Sequence, residues 1–237
     1  MDEKEGFPLI TFLIATVYLA VFLFTYKNIN FYESNFGFVP ANIEVPSIFT
    51  YSVIHADVFH LLTNMALLII IGILLEDSIG KFYFLFVYLI SSFVAILFDI
   101  LGRILLNIPF SLPFIGGSGA IFGLLGVATL FKPMEKISTL FLLVSLLPFV
   151  RLVPESGFFS NALYVTFGML AVAAAMLFFF TRALRLPLYI VTITYLFTWL
   201  ISLAFRYPLS VSFIGHIGGL AGGIIGFILM AKKEEKK

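Results

Sequence analysis

Long apolar runs alternate along the chain with short stretches that hold its charges, prolines and polar clusters. Eight such runs stand at about residues 8–26, 59–75, 82–102, 116–131, 137–153, 161–180, 187–205 and 213–231. Each approaches the roughly 20 apolar residues that a helix needs to cross a hydrocarbon core. The pattern therefore predicts eight membrane-spanning helices. The run 137–153 is near the lower length limit and contains Pro148, which neighbouring helices can accommodate. The longest connection, about 27–58, includes FYESNFGF, whose aromatics suit the boundary between lipid and water. The first run lacks the small-residue cleavage pattern of a secretory leader and ends in Tyr26 and Lys27, so it is expected to be retained as a signal anchor.

Composition makes a bilayer the solvent. Apolar residues make up 61% of the chain and charged residues 11%, with a mean hydropathy of +1.12, far outside the range of soluble domains. Eight spans and their connections use up the 237 residues, so the expectation is one membrane-embedded domain over 1–237. A net charge of +1 argues against a nucleic-acid partner, which would need a concentrated basic face. The absence of cysteine excludes disulfides, a thiol nucleophile and Cys-ligated metal.

The charges that remain report topology. With the N-terminus in the cytoplasm, Lys4, Lys81, Lys132, Lys136, Arg182, Arg185, Lys232, Lys233, Lys236 and Lys237 fall inside, and Lys27, Arg103, Arg151 and Arg206 outside. Basic residues favour cytoplasmic loops, so this split supports cytoplasmic termini and an even number of spans. Omitting 137–153 would reverse everything after it and expose the tail KKEEKK.

Polar side chains inside spans are costly and hence candidates for function. His55, His60 and Asn64 stand at the start of the second run, Ser118 among glycines at the start of the fourth, and His216 at the start of the eighth. His60 and Asn64 are four apart and share a helix face. All three runs are predicted to point inward, which sets His60, Asn64, Ser118 and His216 at one depth beneath the outer surface. Serine is a poor nucleophile until a base takes its proton, and a neutral imidazole has a suitable pKa. His216 can serve if it reaches Ser118. The oxyanion formed by attack needs preorganised donors, and Asn64, a His60 ring N–H and the Ser118 main-chain N–H can supply them. A helix N-terminus at Ser118 adds partial positive charge.

Each feature alone has a plainer reading. A lone Ser in a membrane helix usually bonds back to a carbonyl. Glycines in GHIGGLAGG serve close packing, with Gly215, Gly219 and Gly223 on one face and Gly218 and Gly222 on another. That packing would also press His216 toward Ser118. His55 and His60 lack the HExxH spacing of a zinc protease, with only Asp57 nearby as a carboxylate, so no metal or other cofactor is expected. The GxSxG elbow of soluble hydrolases is excluded, because Ala120 holds its last position.

The three clusters together resemble the rhomboid intramembrane serine proteases, over roughly residues 45–131 and 206–231. The family's Gly-x-Ser-Gly matches Gly116, Gly117, Ser118 and Gly119, its HxxxxHxxxN matches His55, His60 and Asn64, and its histidine in a glycine-rich last helix matches His216. The resemblance implies an all-α polytopic bundle and a Ser118/His216 dyad, with the oxyanion held by His60, Asn64 and the Ser118 N–H. It also implies a structural His55 and Phe122 packed on His216, with Gly116, Gly117 and Gly119 supporting the serine, while Gly219 and Gly223 are supporting residues through the close packing of GHIGGLAGG. Glu76 and Gly80 fit the family pattern as well.

Two departures stand out. The family's core has six helices, whereas three spans lie here between the serine and histidine helices, so two extra helices are expected and 187–205 should take the place of the usual fifth. The first loop lacks the family's frequent Trp-Arg pair; the chain's single Trp is Trp199. The implied activity is hydrolysis of peptide bonds in or near transmembrane segments that enter sideways from lipid, at a site open to the outer side of a cell membrane. The rival expectations are a non-catalytic rhomboid-like binder of membrane helices and a small-solute transporter, against which no repeated half is visible. No aspartate stands where it would orient His216, so slow turnover is expected.

Overall fold

The computed structural model describes residues 6–138, 185–204 and 212–234. In chain order it contains α1 (Leu9–Thr25), a 3₁₀ turn at Tyr26–Asn28, α2 (Ile29–Phe36), α3 (Ser47–Thr50), a 3₁₀ turn at Tyr51–Val53, α4 (Val58–Ile79), α5 (Lys81–Leu106) and α6 (Ser118–Phe131). Then come β1 (Lys136–Ser138), β2 (Arg185–Pro187), α7 (Leu188–Ala204) and α8 (Ser212–Glu234). Among the described residues four helical stretches are long and apolar enough to cross a membrane: Leu9–Phe36, Val58–Ile79, Lys81–Leu106 and Phe213–Lys232. Ser118–Phe131 and Leu188–Phe197 are apolar but shorter. The protein is thus an integral membrane protein, and its described residues are mostly helical.

The expected spans at 8–26, 59–75, 82–102, 116–131, 187–205 and 213–231 correspond to α1, α4, α5, α6, α7 and α8 with small shifts at their ends. The expected spans 137–153 and 161–180 lie outside the described residues, apart from 137 and 138. Those two belong to a strand rather than a helix, because Lys136–Ser138 pairs antiparallel with Arg185–Pro187. The connection 27–58, expected as a loop with interfacial aromatics, carries α2 and α3.

The chain divides into two compact units, residues 1–130 with 211–237 and residues 131–210. In the second, the two strands are extended by main-chain bonds from Leu188 N–H to the Glu135 carbonyl and from Tyr189 N–H to that of Pro133. α7 then buries Leu188, Val191, Tyr195 and Trp199 along one face, the spacing of a helix stripe.

The first unit holds the site. α4 starts where Asp57 caps it, the carboxylate accepting the N–H groups of Phe59 and His60. It ends at Gly80, whose φ of 80° lets a single residue turn the chain into α5. α1 is fastened to α4 by Glu76, a fully buried carboxylate that accepts the N–H groups of Ile10 and Thr11 and the Thr11 hydroxyl at 2.7–2.9 Å. These N–H groups belong to the first turn of α1, which has no intrahelical acceptors for them. Contact of the start of α1 with the end of α4 makes the two antiparallel.

α8 packs through its two glycine faces. A Cβ on Gly218 would meet Phe98 and Val94, and one on Gly222 would meet Ser91 and Val94, so this face lies antiparallel on α5. On the other face, Gly219 lies against the Gly119 backbone and Gly223 against that of Gly123, which makes α6 and α8 parallel. Arg103, placed by its sequence among the loop charges, is instead fully buried in α5 and paired with Asp99 at 2.7 Å. It also donates through Nη1 to the Pro109 carbonyl at 2.6 Å, a fixed point in the connection that leads to α6.

Candidate active site

The turn before α6 is held from several directions. Phe114 exchanges main-chain hydrogen bonds with Phe38 at 2.8 and 2.9 Å, and Gly116 N–H donates to the Tyr51 carbonyl at 2.8 Å. Tyr51 stacks on Phe114 and its hydroxyl reaches Ser92 on α5. Gly116 takes a φ of 101°, a conformation that a residue with a Cβ adopts only under strain. The chain then enters α6 at Ser118, the first helical residue. Its N–H is one of the first-turn donors that a helix leaves without an internal partner.

Ser118 Oγ lies 2.7 Å from His216 Nε2. The two side chains are 8% and 7% exposed, so the contact is shielded without being sealed. His216 lies one turn inside α8 rather than in its first turn, and Gly119 against Gly219 brings α6 and α8 to backbone contact beside it. Phe122, one turn along α6 from the serine, packs on the imidazole with ring centres 4.6 Å apart. Phe213 flanks it at 6.1 Å. With the imidazole protonated on Nδ1, the serine hydroxyl donates to Nε2, the arrangement that removes its proton on attack.

His60 and Asn64 close the opposite side. A Cβ on Gly116 would lie 2.7 Å from His60 Nε2 and 3.8 Å from Asn64 Nδ2. Both nitrogens therefore crowd the turn just before the serine. Asn64 is buried, and its Nδ2 has no hydrogen-bond partner among the described residues. A buried amide donor left unpaired is costly, so this nitrogen has a hydrogen bond to give to an acceptor beside the turn.

His55 lies behind this wall, its ring 5.0 Å from that of His60 and 4.7 Å from that of Tyr18. Nδ1 donates to the Val53 carbonyl at 3.2 Å. Burial, reinforced by the neighbouring His60, pushes the His55 imidazole down to about 3, so it is neutral and acts through packing. The glycines at the turn face the protein itself. A Cβ on Gly117 would run into Tyr18, and one on Gly119 into Ala95.

Residues 42–162 match the family described as the Rhomboid domain. The chain belongs to the rhomboid family. RHOMBOID-like protein 1 of Arabidopsis thaliana is 42% identical over 84 residues, which are 35% of this chain and 20% of that protein. The chain thus matches only a fifth of that relative's length. No solved structure matches it. The rhomboid match includes His55, His60, Asn64 and Ser118 and ends before His216, which lies 2.7 Å from the serine.

Sequence reasoning missed the side chains that support this rhomboid site from behind. Tyr18 beside Gly117, its partner Tyr88, Tyr51, whose carbonyl accepts from Gly116 N–H, and the Asp99–Arg103 pair, which holds the connection toward α6, are all buried. For Tyr18 and Tyr88 the available signal was position: both stand in mid-span, whereas membrane tyrosines favour the interfaces.

Proposed function

We propose that this rhomboid is a serine-type intramembrane endopeptidase that hydrolyses peptide bonds in or near transmembrane segments of membrane proteins. The observation that carries the reading is the 2.7 Å contact between Ser118 Oγ and His216 Nε2, made by residues on two separate helices near an Asn64 Nδ2 that has no hydrogen-bond partner among the described residues.

In this mechanism Ser118 Oγ attacks the scissile carbonyl carbon while its proton passes to His216 Nε2. The carbonyl oxygen becomes an oxyanion held by Asn64 Nδ2, a His60 ring N–H and the Ser118 main-chain N–H. Collapse expels the amine, which takes the proton from His216 and leaves an acyl-enzyme. Water, deprotonated by His216, then releases the acid and restores the serine. No metal or cofactor takes part. With a dyad, turnover is slow, since loss of an orienting carboxylate costs triad enzymes about 10⁴ in kcat.

The substrate segment enters sideways from lipid, and the site opens to the outer side, with the termini of this chain in the cytoplasm. A helix hides its carbonyls in hydrogen bonds, so cleavage favours segments with Gly or Pro near the cut. The test is cleavage of a panel of transmembrane segments in liposomes by the wild type, Ser118→Ala and His216→Ala. The reading predicts cuts by the wild type alone, concentrated in segments with helix-weakening residues. A well-folded wild type that cuts none would leave the non-catalytic, helix-binding alternative.

A further inference from the structure

We propose that Tyr18 is a positioning residue of this site, its hydroxyl forming the support on which the Gly116–Ser118 turn rests. The assignment builds on the protease reading above. Tyr18 stands in the middle of α1, fully buried, with its hydroxyl 2.6 Å from that of Tyr88 on α5. The same hydroxyl fills the space beside Gly117, so that a Cβ there would overlap it. Its ring packs 4.7 Å from His55, and His55 packs 5.0 Å from His60. One side chain thus touches the nucleophile turn through Gly117 and the oxyanion wall through His55.

The chemistry of the pair fits a support rather than a filler. A phenylalanine would offer the same ring without a polar group to satisfy, whereas a buried hydroxyl needs a partner. Tyr88 supplies that partner and fixes where the Tyr18 oxygen stands. Gly117 has no side chain with which to fill a gap, and Gly116 beside it holds a left-handed φ. Loss of the hydroxyl leaves this turn free to settle toward α1. Ser118 Oγ and N–H would move with it, away from His216 and from the Asn64 and His60 donors. Misplacement by a fraction of an ångström suffices to slow a positioned reaction severalfold.

The experiment compares wild type, Tyr18→Phe, Tyr88→Phe and the double variant in liposomes, with kcat and KM for one cleaved transmembrane segment, fluorophosphonate labelling rates and melting midpoints. The expected result is a kcat about tenfold lower for Tyr18→Phe, with KM within about twofold of wild type and a matching fall in labelling rate. The double variant should be little slower than Tyr18→Phe, because the effect on the turn passes through the Tyr18–Tyr88 hydrogen bond, and only the separate Tyr88 contact with Ser52 is lost in addition. Wild-type kcat in a folded Tyr18→Phe overturns the assignment, as does a loss of active protein that only tracks a lower melting midpoint. Should Tyr18→Phe fail to fold, Tyr88→Phe decides on the same readouts, since it releases the Tyr18 oxygen without removing it. A wild type that neither cleaves nor labels overturns the protease reading itself, a different outcome from an active wild type matched by its Phe variants.

Discussion

The two helix seams of the site-bearing unit are built on opposite principles. Between α6 and α8 the contact is backbone on backbone, Gly119 against Gly219 and Gly123 against Gly223. Between α1 and α4 it is a side-chain clasp, Glu76 on the first turn of α1, with Gly72 accommodating Thr11. In lipid no hydrophobic force presses helices together, so close packing and interhelical hydrogen bonds must do it. The first seam sets the distance from Ser118 to His216 and has no slack. The second holds α1 in place through side chains, the Glu76 hydrogen bonds and Thr11 seated against Gly72.

The largest expected effect comes from adding one carbon to the tight seam. Gly219→Ala would put a methyl into the Gly119 carbonyl, and separation of the helices breaks the dyad. Activity should fall by about a hundredfold or more, with labelling lost in parallel. Near-normal kcat in this variant would show that the seam has slack after all. Asn64→Ala leaves both seams alone and removes one of the proposed oxyanion donors, so kcat should fall by about 10² to 10³ while the fluorophosphonate still finds the Ser118–His216 contact intact.

Breaking the clasp should separate stability from chemistry. Glu76→Ala strands the first-turn N–H groups of α1 and should destabilise the protein by about 3 kcal/mol, seen in a melting or denaturant series. Molecules that remain folded should keep most of their kcat. A proportionate loss of kcat with no change in midpoint would mean that the clasp, too, sets the site. The smallest effect is a pH slope. His55, at about 3 in the fold against an ordinary value near 6.5, is neutral when folded and gains a proton on unfolding below about pH 6.5. Its contribution is complete above that value and is lost as the pH falls toward 3, at no more than about 1.4 kcal/mol per pH unit. A His55→Gln variant should lose that part of the slope, measured as the melting midpoint between pH 7 and pH 5.

The same contrast explains what could be seen in the sequence. His55, His60, Asn64, Ser118 and His216 stood out because polar groups are scarce in apolar runs, and the two glycine faces of GHIGGLAGG were visible as a period of four. The structure brings those residues together and sets each glycine face on a different helix. Side chains that work by reaching another helix were not legible in the same way. Nothing local marks Glu76 as the acceptor for Thr11, 65 residues away. Arg103 reads as a loop charge because the expected span stops at 102, whereas α5 runs on to Leu106 and buries it beside Asp99 on the same helix. The helices in 27–58 were missed because they are short, and α2 buries none of its residues fully. The apolar run extends a helix over residue 137, because its strand pairing with 185–187 depends on residues far along the chain.

The most direct test of the account is mass-spectrometric mapping of a fluorophosphonate adduct on the purified protein, with His216→Ala alongside. The account predicts one modified residue, Ser118, in the wild type, and none in His216→Ala, because the hydroxyl is reactive only with Nε2 beside it. Modification at another serine, or Ser118 labelled equally without His216, would contradict it.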